Sequence, residues 1–188
     1  MATIINSTGE QDQTEDNVLF TGSCFCRAVT FTLSELPMKA YLCHCLNCRR
    51  STGSSFAYNA AFPRSALKLS FQKPARTAFA SPTATGSEDA RGDAADDSTA
   101  IDESVISTFG VKASGMRKFC SLCGTRLLIY VREEVAVMQD KVIIPVGVID
   151  GSEKDERLRP TAEAFCERRE EWMPDMRGTE AFDKMFTA

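Results

Sequence analysis

Hydrophobic and polar positions alternate along much of the chain. Val29, Phe31 and Leu33 fall between threonines, the period of a half-buried strand. Phe56, Tyr58, Ala60 and Phe62 repeat the pattern, and so do Leu67, Leu69 and Phe71. Residues 105–111 and 126–131 read as two further strands. Residues 142–149 are almost all apolar, as expected of a strand buried on both faces. Pro145 and Gly147 within that run predict an edge or a bulge. From Thr161 to about Trp172 the texture turns charged and helical, and a short helix is expected after Gly178. Many short strands, few helices and no strand–helix alternation predict a mainly β domain.

Two segments break this texture. Residues 1–17 hold four acids and no base, and read as a flexible acidic tail. Ordered structure is expected to begin near Val18, Leu19 and Phe20. Residues 81–104 hold seven acids and only Arg91, with almost no large apolar side chain. Such a stretch buries too little surface to offset the entropy of ordering it. It reads as a flexible acidic insertion within one domain spanning 18–188, because a cysteine pattern begun before it resumes after it.

Length and charge narrow the classes. A chain of 188 residues, 43% hydrophobic, is long enough for a core of its own. No apolar run approaches the roughly 20 residues that cross a bilayer, and no basic or apolar leader opens the chain, so a cytoplasmic protein without a membrane partner is expected. The net charge of −4 hides an uneven distribution. Residues 18–80 carry eight bases against the single acid Glu35. These bases are scattered and lie between acidic segments that would oppose a phosphate backbone. That argues against a nucleic-acid partner.

The chemistry lies in the cysteines. Seven of the eight fall in three tight groups: Cys24-x-Cys26, Cys43-x-Cys45-x-x-Cys48 and Cys120-x-x-Cys123. Without a secretion signal, metal binding is a better reading than a disulfide scaffold. Close pairs bring thiolates to one ion with little further loss of chain entropy, and zinc favours such ligands. Gly124 supplies the backbone freedom for a metal-binding turn. Seven thiols divide naturally into four, a saturated structural ion, and three, an ion with an open position. Cys43, Cys45 and Cys48 lie on one loop and suit the three-ligand site. Spacing alone does not prove this grouping, and one zinc plus a redox dithiol remains the other arrangement. Cys166 reads as an ordinary thiol.

Three motifs occur in a familiar order: Gly22-Ser-Cys24-Phe-Cys26, Cys43-His44-Cys45-Leu-Asn-Cys48-Arg49-Arg50-Ser51-Thr52-Gly53, and Phe119-Cys120-Ser-Leu-Cys123-Gly124-Thr125. Together with Arg168-x-x-x-Trp172 they resemble the glutathione-dependent formaldehyde-activating enzyme family, which includes centromere protein V. The resemblance implies a mainly β, β-tent zinc-binding fold with short C-terminal helices and two zinc ions. It assigns Cys24, Cys26, Cys120 and Cys123 to a structural zinc, and Cys43, Cys45 and Cys48 to an open one. It implies a carbon–sulfur lyase that forms or cleaves S-hydroxymethylglutathione. Members usually carry glycine where this chain has Arg27. That difference and the insertion leave room for another small-molecule reaction on the same site. A non-catalytic zinc module binding protein or nucleic acid is the other alternative.

The site residues follow from the chemistry. A free thiol is mostly protonated at neutral pH, and zinc deprotonates it. Three thiolates leave a zinc site at −1, which weakens it toward water and favours thiol chemistry over hydrolysis. His44, the only histidine, is the candidate for proton transfer, with a structural role in its turn as the alternative. Arg49 and Arg50 suit the carboxylates of glutathione or a related thiol adduct. Ser51 and Thr52 add hydroxyl donors. Oligomeric state is not legible.

Overall fold

The computed structural model describes residues 17–74, 103–111, 115–130 and 140–186. Their strands are β1 (Phe20–Ser23), β2 (Val29–Leu33), β3 (Lys39–Cys43), β4 (Ala57–Pro63), β5 (Leu67–Phe71), β6 (Ile106–Val111), β7 (Gly115–Cys120), β8 (Arg126–Tyr130), β9 (Lys141–Pro145), β10 (Ala162–Ala164) and β11 (Glu180–Phe182). The single α-helix among the described residues, α1, runs Leu46–Thr52. The fold is mainly β, as the alternation predicts. One sheet has the order β1-β2-β5, the other β11-β10-β3-β4-β9-β8-β7-β6.

The predicted faces lie where the period puts them. Val29, Phe31 and Leu33 are buried, with the intervening threonines half-buried. Phe20 meets Phe62 edge to face, with ring centres 5.9 Å apart. That contact, with Val142, Ile144 and Leu127 in the same cluster, joins the two sheets through one core. Gly22, on β1, is wedged between the ring of its cross-strand partner Phe31 and the 3-10 turn that follows β9. A Cβ there would stand 2.2 Å from the Phe31 ring and 2.3 Å from the Val148 carbonyl oxygen, so only glycine fits.

Three expectations need correction. The apolar run 142–149 is a strand only to Pro145, then a 3-10 turn at Val146–Val148. Proline and glycine end the ladder there instead of bulging it. The charged stretch after Thr161 is not one helix. Ala162–Ala164 adds a parallel strand beside β3, and only Cys166–Arg168 winds, as a 3-10 turn. Tertiary pairing overrides the helical texture. After Gly178 a strand, β11, pairs with β10 instead of a helix. The short C-terminal helices are thus 3-10 turns. The tail at 1–16 and residues 81–102 lie outside the described residues. Glu103, at the end of the expected insertion, opens a 3-10 turn at Glu103–Val105.

Candidate metal centres

The seven clustered cysteines converge in two groups, four and three, divided as the spacing suggests. In each group the sulfurs all lie within 4.8 Å of one another. The first group joins the β1–β2 turn to the β7–β8 turn. Cys24 and Cys26 sulfurs are 3.5 Å apart, and those of Cys26 and Cys120 3.7 Å. Four thiolates around an ion at about 2.3 Å stand about 3.8 Å from each other in a tetrahedron, so the observed spacing fits a metal ion.

Backbone hydrogen bonds shape both turns. Cys24 N–H donates to the Val29 carbonyl, and Arg27 N–H to the Cys24 carbonyl. This places Arg27 at φ +60°, where a side chain is strained. Gly124, at φ +74°, lets its N–H reach the Cys120 carbonyl. The Val29 N–H reaches the Cys24 sulfur at 3.3 Å. Burial alone would raise Cys123, but the Thr125 hydroxyl, 3.2 Å from its sulfur, and nearby N–H groups bring it down to about 6. Burial pushes Cys120 up.

The second group comes from the end of β3 and the start of α1. Cys43 closes the strand, Cys45 caps the helix, and Cys48 lies one turn in. The Cys45 sulfur accepts the Cys48 N–H at 3.4 Å. The thiols of Cys43 and Cys48 hydrogen-bond Cys45 and hold it low, with the backbone N–H groups of Cys48 and Asn47 helping. The same sharing pushes Cys43 up. Each of these two groups could hold a metal ion. Cys166 lies apart, its thiol 3.5 Å from the Glu163 carbonyl oxygen.

The polar residues predicted around the trio are spread over α1 and its flanks. His44 is fully buried, with Nε2 3.0 Å from Glu163 Oε2. Arg49 pairs with Glu170 and reaches the Arg168 carbonyl. Arg50 is exposed. Ser51 and Thr52 hydroxyls both donate to the Cys48 carbonyl, and Thr52 also reaches the Arg49 carbonyl. An open cleft of about 530 Å³ is lined by Leu46, Arg49, Arg50, Gly53, Ser54 and Ser55.

Residues 19–92 match the family model of the glutathione-dependent formaldehyde-activating enzyme. The resemblance to that family is thereby shown. The match spans the β1–β2 turn and the Cys43–Cys48 loop, so it covers five of the seven clustered cysteines. Outside it, the formaldehyde-activating enzyme resemblance rests on the Cys120–Cys123 turn, which the fold brings to Cys24 and Cys26. A comparison with curated proteins gave no match. Among solved structures, a crystal structure of a Rhodobacter sphaeroides protein aligns at a TM-score of 0.44 and 18% identity, over 70% of this chain and 88% of that one. No helix of the described residues is long and apolar enough to cross a membrane.

Sequence reasoning missed Glu163, Asn59 and Arg126. Glu163 and Asn59 are buried polar side chains, and Arg126 is partly buried. Glu163 had a signal, a lone acid between two alanines. Arg126 had one too, a cation opening an apolar strand directly after a cysteine turn.

Proposed function

We propose that the chain is a zinc-dependent carbon–sulfur lyase acting on a glutathione-type thiol adduct, in a single domain that spans 18–188. The observation that carries this is the convergence of three thiols, and among the described residues no fourth, on the end of β3 and the start of α1, the helix that also sends Arg49 and Arg50 into the wall of a cleft. Cys24, Cys26, Cys120 and Cys123 would hold a structural zinc. Cys43, Cys45 and Cys48 would hold a second, with one position left for a ligand. Zinc, when bound, keeps a thiol ligand deprotonated at neutral pH.

The chain's own residues supply the rest. Arg50 is free to meet a carboxylate of the thiol, and Arg49 is held near the cleft by Glu170. Ser51 and Thr52 fix the end of α1, and Ser54 and Ser55 add polar groups to the wall. In the forward direction the thiol sulfur bonds to the aldehyde carbon. The thiol's proton ends on the new hydroxyl, so S-hydroxymethylglutathione is the sum of its two reactants. The reverse step breaks the same carbon–sulfur bond. Burial of His44 against Glu163 supports a positioning role: the ring fixes the loop between two thiols without reaching the ligand. Free, clustered thiols fit a reducing compartment such as the cytoplasm.

Exchange NMR tests the reading. With formaldehyde and glutathione at equilibrium, catalytic amounts of the zinc-loaded protein are expected to speed their exchange with the adduct. An exchange rate independent of protein, or equally raised by Cys48→Ser, would overturn it.

A further inference from the structure

Arg126 opens β8, three residues beyond Cys123, yet its guanidinium bonds residues on elements that flank the other cysteine group. Nη1 donates to Ser51 Oγ at 3.1 Å, and Nη2 to Asn59 Oδ1 at 3.2 Å. Ser51 lies on α1, three residues after Cys48, and Asn59 on β4 faces Tyr41 in register across to β3. Both partners are neutral oxygen acceptors. Among the described residues no carboxylate forms an ion pair with Arg126.

A cation withdrawn from water needs a counter-charge. Burial works against the Arg126 charge. The nearby Arg117 guanidinium works against it too, while Ser51, which Arg126 contacts, donates its hydroxyl to the Cys48 carbonyl at 3.1 Å. Three thiolates on a divalent ion leave a net charge of −1. One guanidinium cancels that charge.

We infer that Arg126 is the counter-ion of the Cys43–Cys45–Cys48 metal centre, carried to it by the turn that holds Cys120 and Cys123. It is a positioning residue and touches neither thiol nor substrate. The inference rests on the reading that the three-thiol group holds zinc. It adds to that reading a dependence of one centre on the strand that leaves the other.

Zinc transfer to a chromogenic chelator tests it, with wild-type, Arg126→Gln and Arg126→Lys proteins loaded with zinc. Wild type is expected to hold two zinc ions, one released fast from the open centre and one slowly. Arg126→Gln is expected to speed the fast phase about tenfold and leave the slow phase unchanged. Arg126→Lys, which keeps the charge, is expected to stay closer to wild type. A fast phase unmoved in Arg126→Gln overturns the inference. So does an equal change in both phases, or a lysine variant as labile as the glutamine one. Should Arg126→Gln not fold, Ser51→Ala, which removes one of the two guanidinium contacts, must still speed the fast phase, and an unchanged rate overturns the inference. A wild-type chain with a single zinc overturns both the inference and the function reading. Two ions with no effect of Arg126 overturns the inference alone.

Discussion

His44 Nε2 lies 3.0 Å from Glu163 Oε2, and both side chains are buried. The pair ties the middle of the three-thiol loop to β10. Glu163 is held in turn by the C-terminal segment. Its Oε1 accepts from the Thr179 hydroxyl at 3.0 Å and the Met176 N–H at 3.3 Å, and Arg169 Nη1 stands 3.5 Å from Oε2. The last strands of the chain thereby brace a loop more than a hundred residues earlier.

Removing that carboxylate leaves the buried His44 ring without its partner and loosens the Thr179 hydroxyl, the Met176 N–H and Arg169. Glu163→Ala is expected to cost about 3 kcal/mol of stability. Urea unfolding of the zinc-loaded protein measures it, and a loss below about 1 kcal/mol would contradict the bracing role.

The same residue predicts a pH dependence. Burial alone would raise Glu163, but His44, Thr179, the Met176 N–H and Arg169 outweigh it and hold the carboxyl below its ordinary 4.5. A group lowered on folding stabilises the fold above its unfolded pKa, and that stability is lost as pH falls through the folded value. Glu163→Gln is therefore expected to flatten the stability curve below about pH 4.5 relative to wild type. Denaturant midpoints across the acid range would show it. Parallel curves for the two proteins would count against the assignment.

Much of this was legible in the chain. The alternation of Val29, Phe31 and Leu33 gave β2 its buried face, and the three cysteine motifs gave the four-and-three division that the fold assembles. The C-terminal segment was not legible. Ala162–Ala164 is too short for periodicity to speak, and it is a strand only because β3 and β11 flank it in parallel. Glu163 and Arg126 were passed over because their partners lie 119 and 75 residues away. Local pattern carries no trace of such pairing.

Backbone strain at Arg27 offers a gain. With φ at +60° and an exposed side chain, the position suits glycine, the residue that the resembled family usually has there. Arg27→Gly is expected to raise stability by about 1 kcal/mol. Thermal unfolding of the zinc-loaded proteins measures it, and a lowered midpoint would show that the arginine side chain contributes more than its backbone costs.

Gly22 predicts the opposite. Gly22→Ala places a methyl group against the Val148 backbone carbonyl, which cannot turn away as a side chain can. A loss of about 3 kcal/mol is expected, read from denaturant unfolding. A wild-type midpoint would mean that β1 and the Val146–Val148 turn do not meet there as described.

The central claim is an open three-thiolate centre that accepts a thiol. Cadmium NMR of the cadmium-substituted protein addresses it site by site. Two resonances are expected, one from a four-thiolate ion and one from a three-thiolate ion. Glutathione is expected to move only the second, toward the position of the first. A single resonance, or two that saturating glutathione leaves in place, would contradict the account.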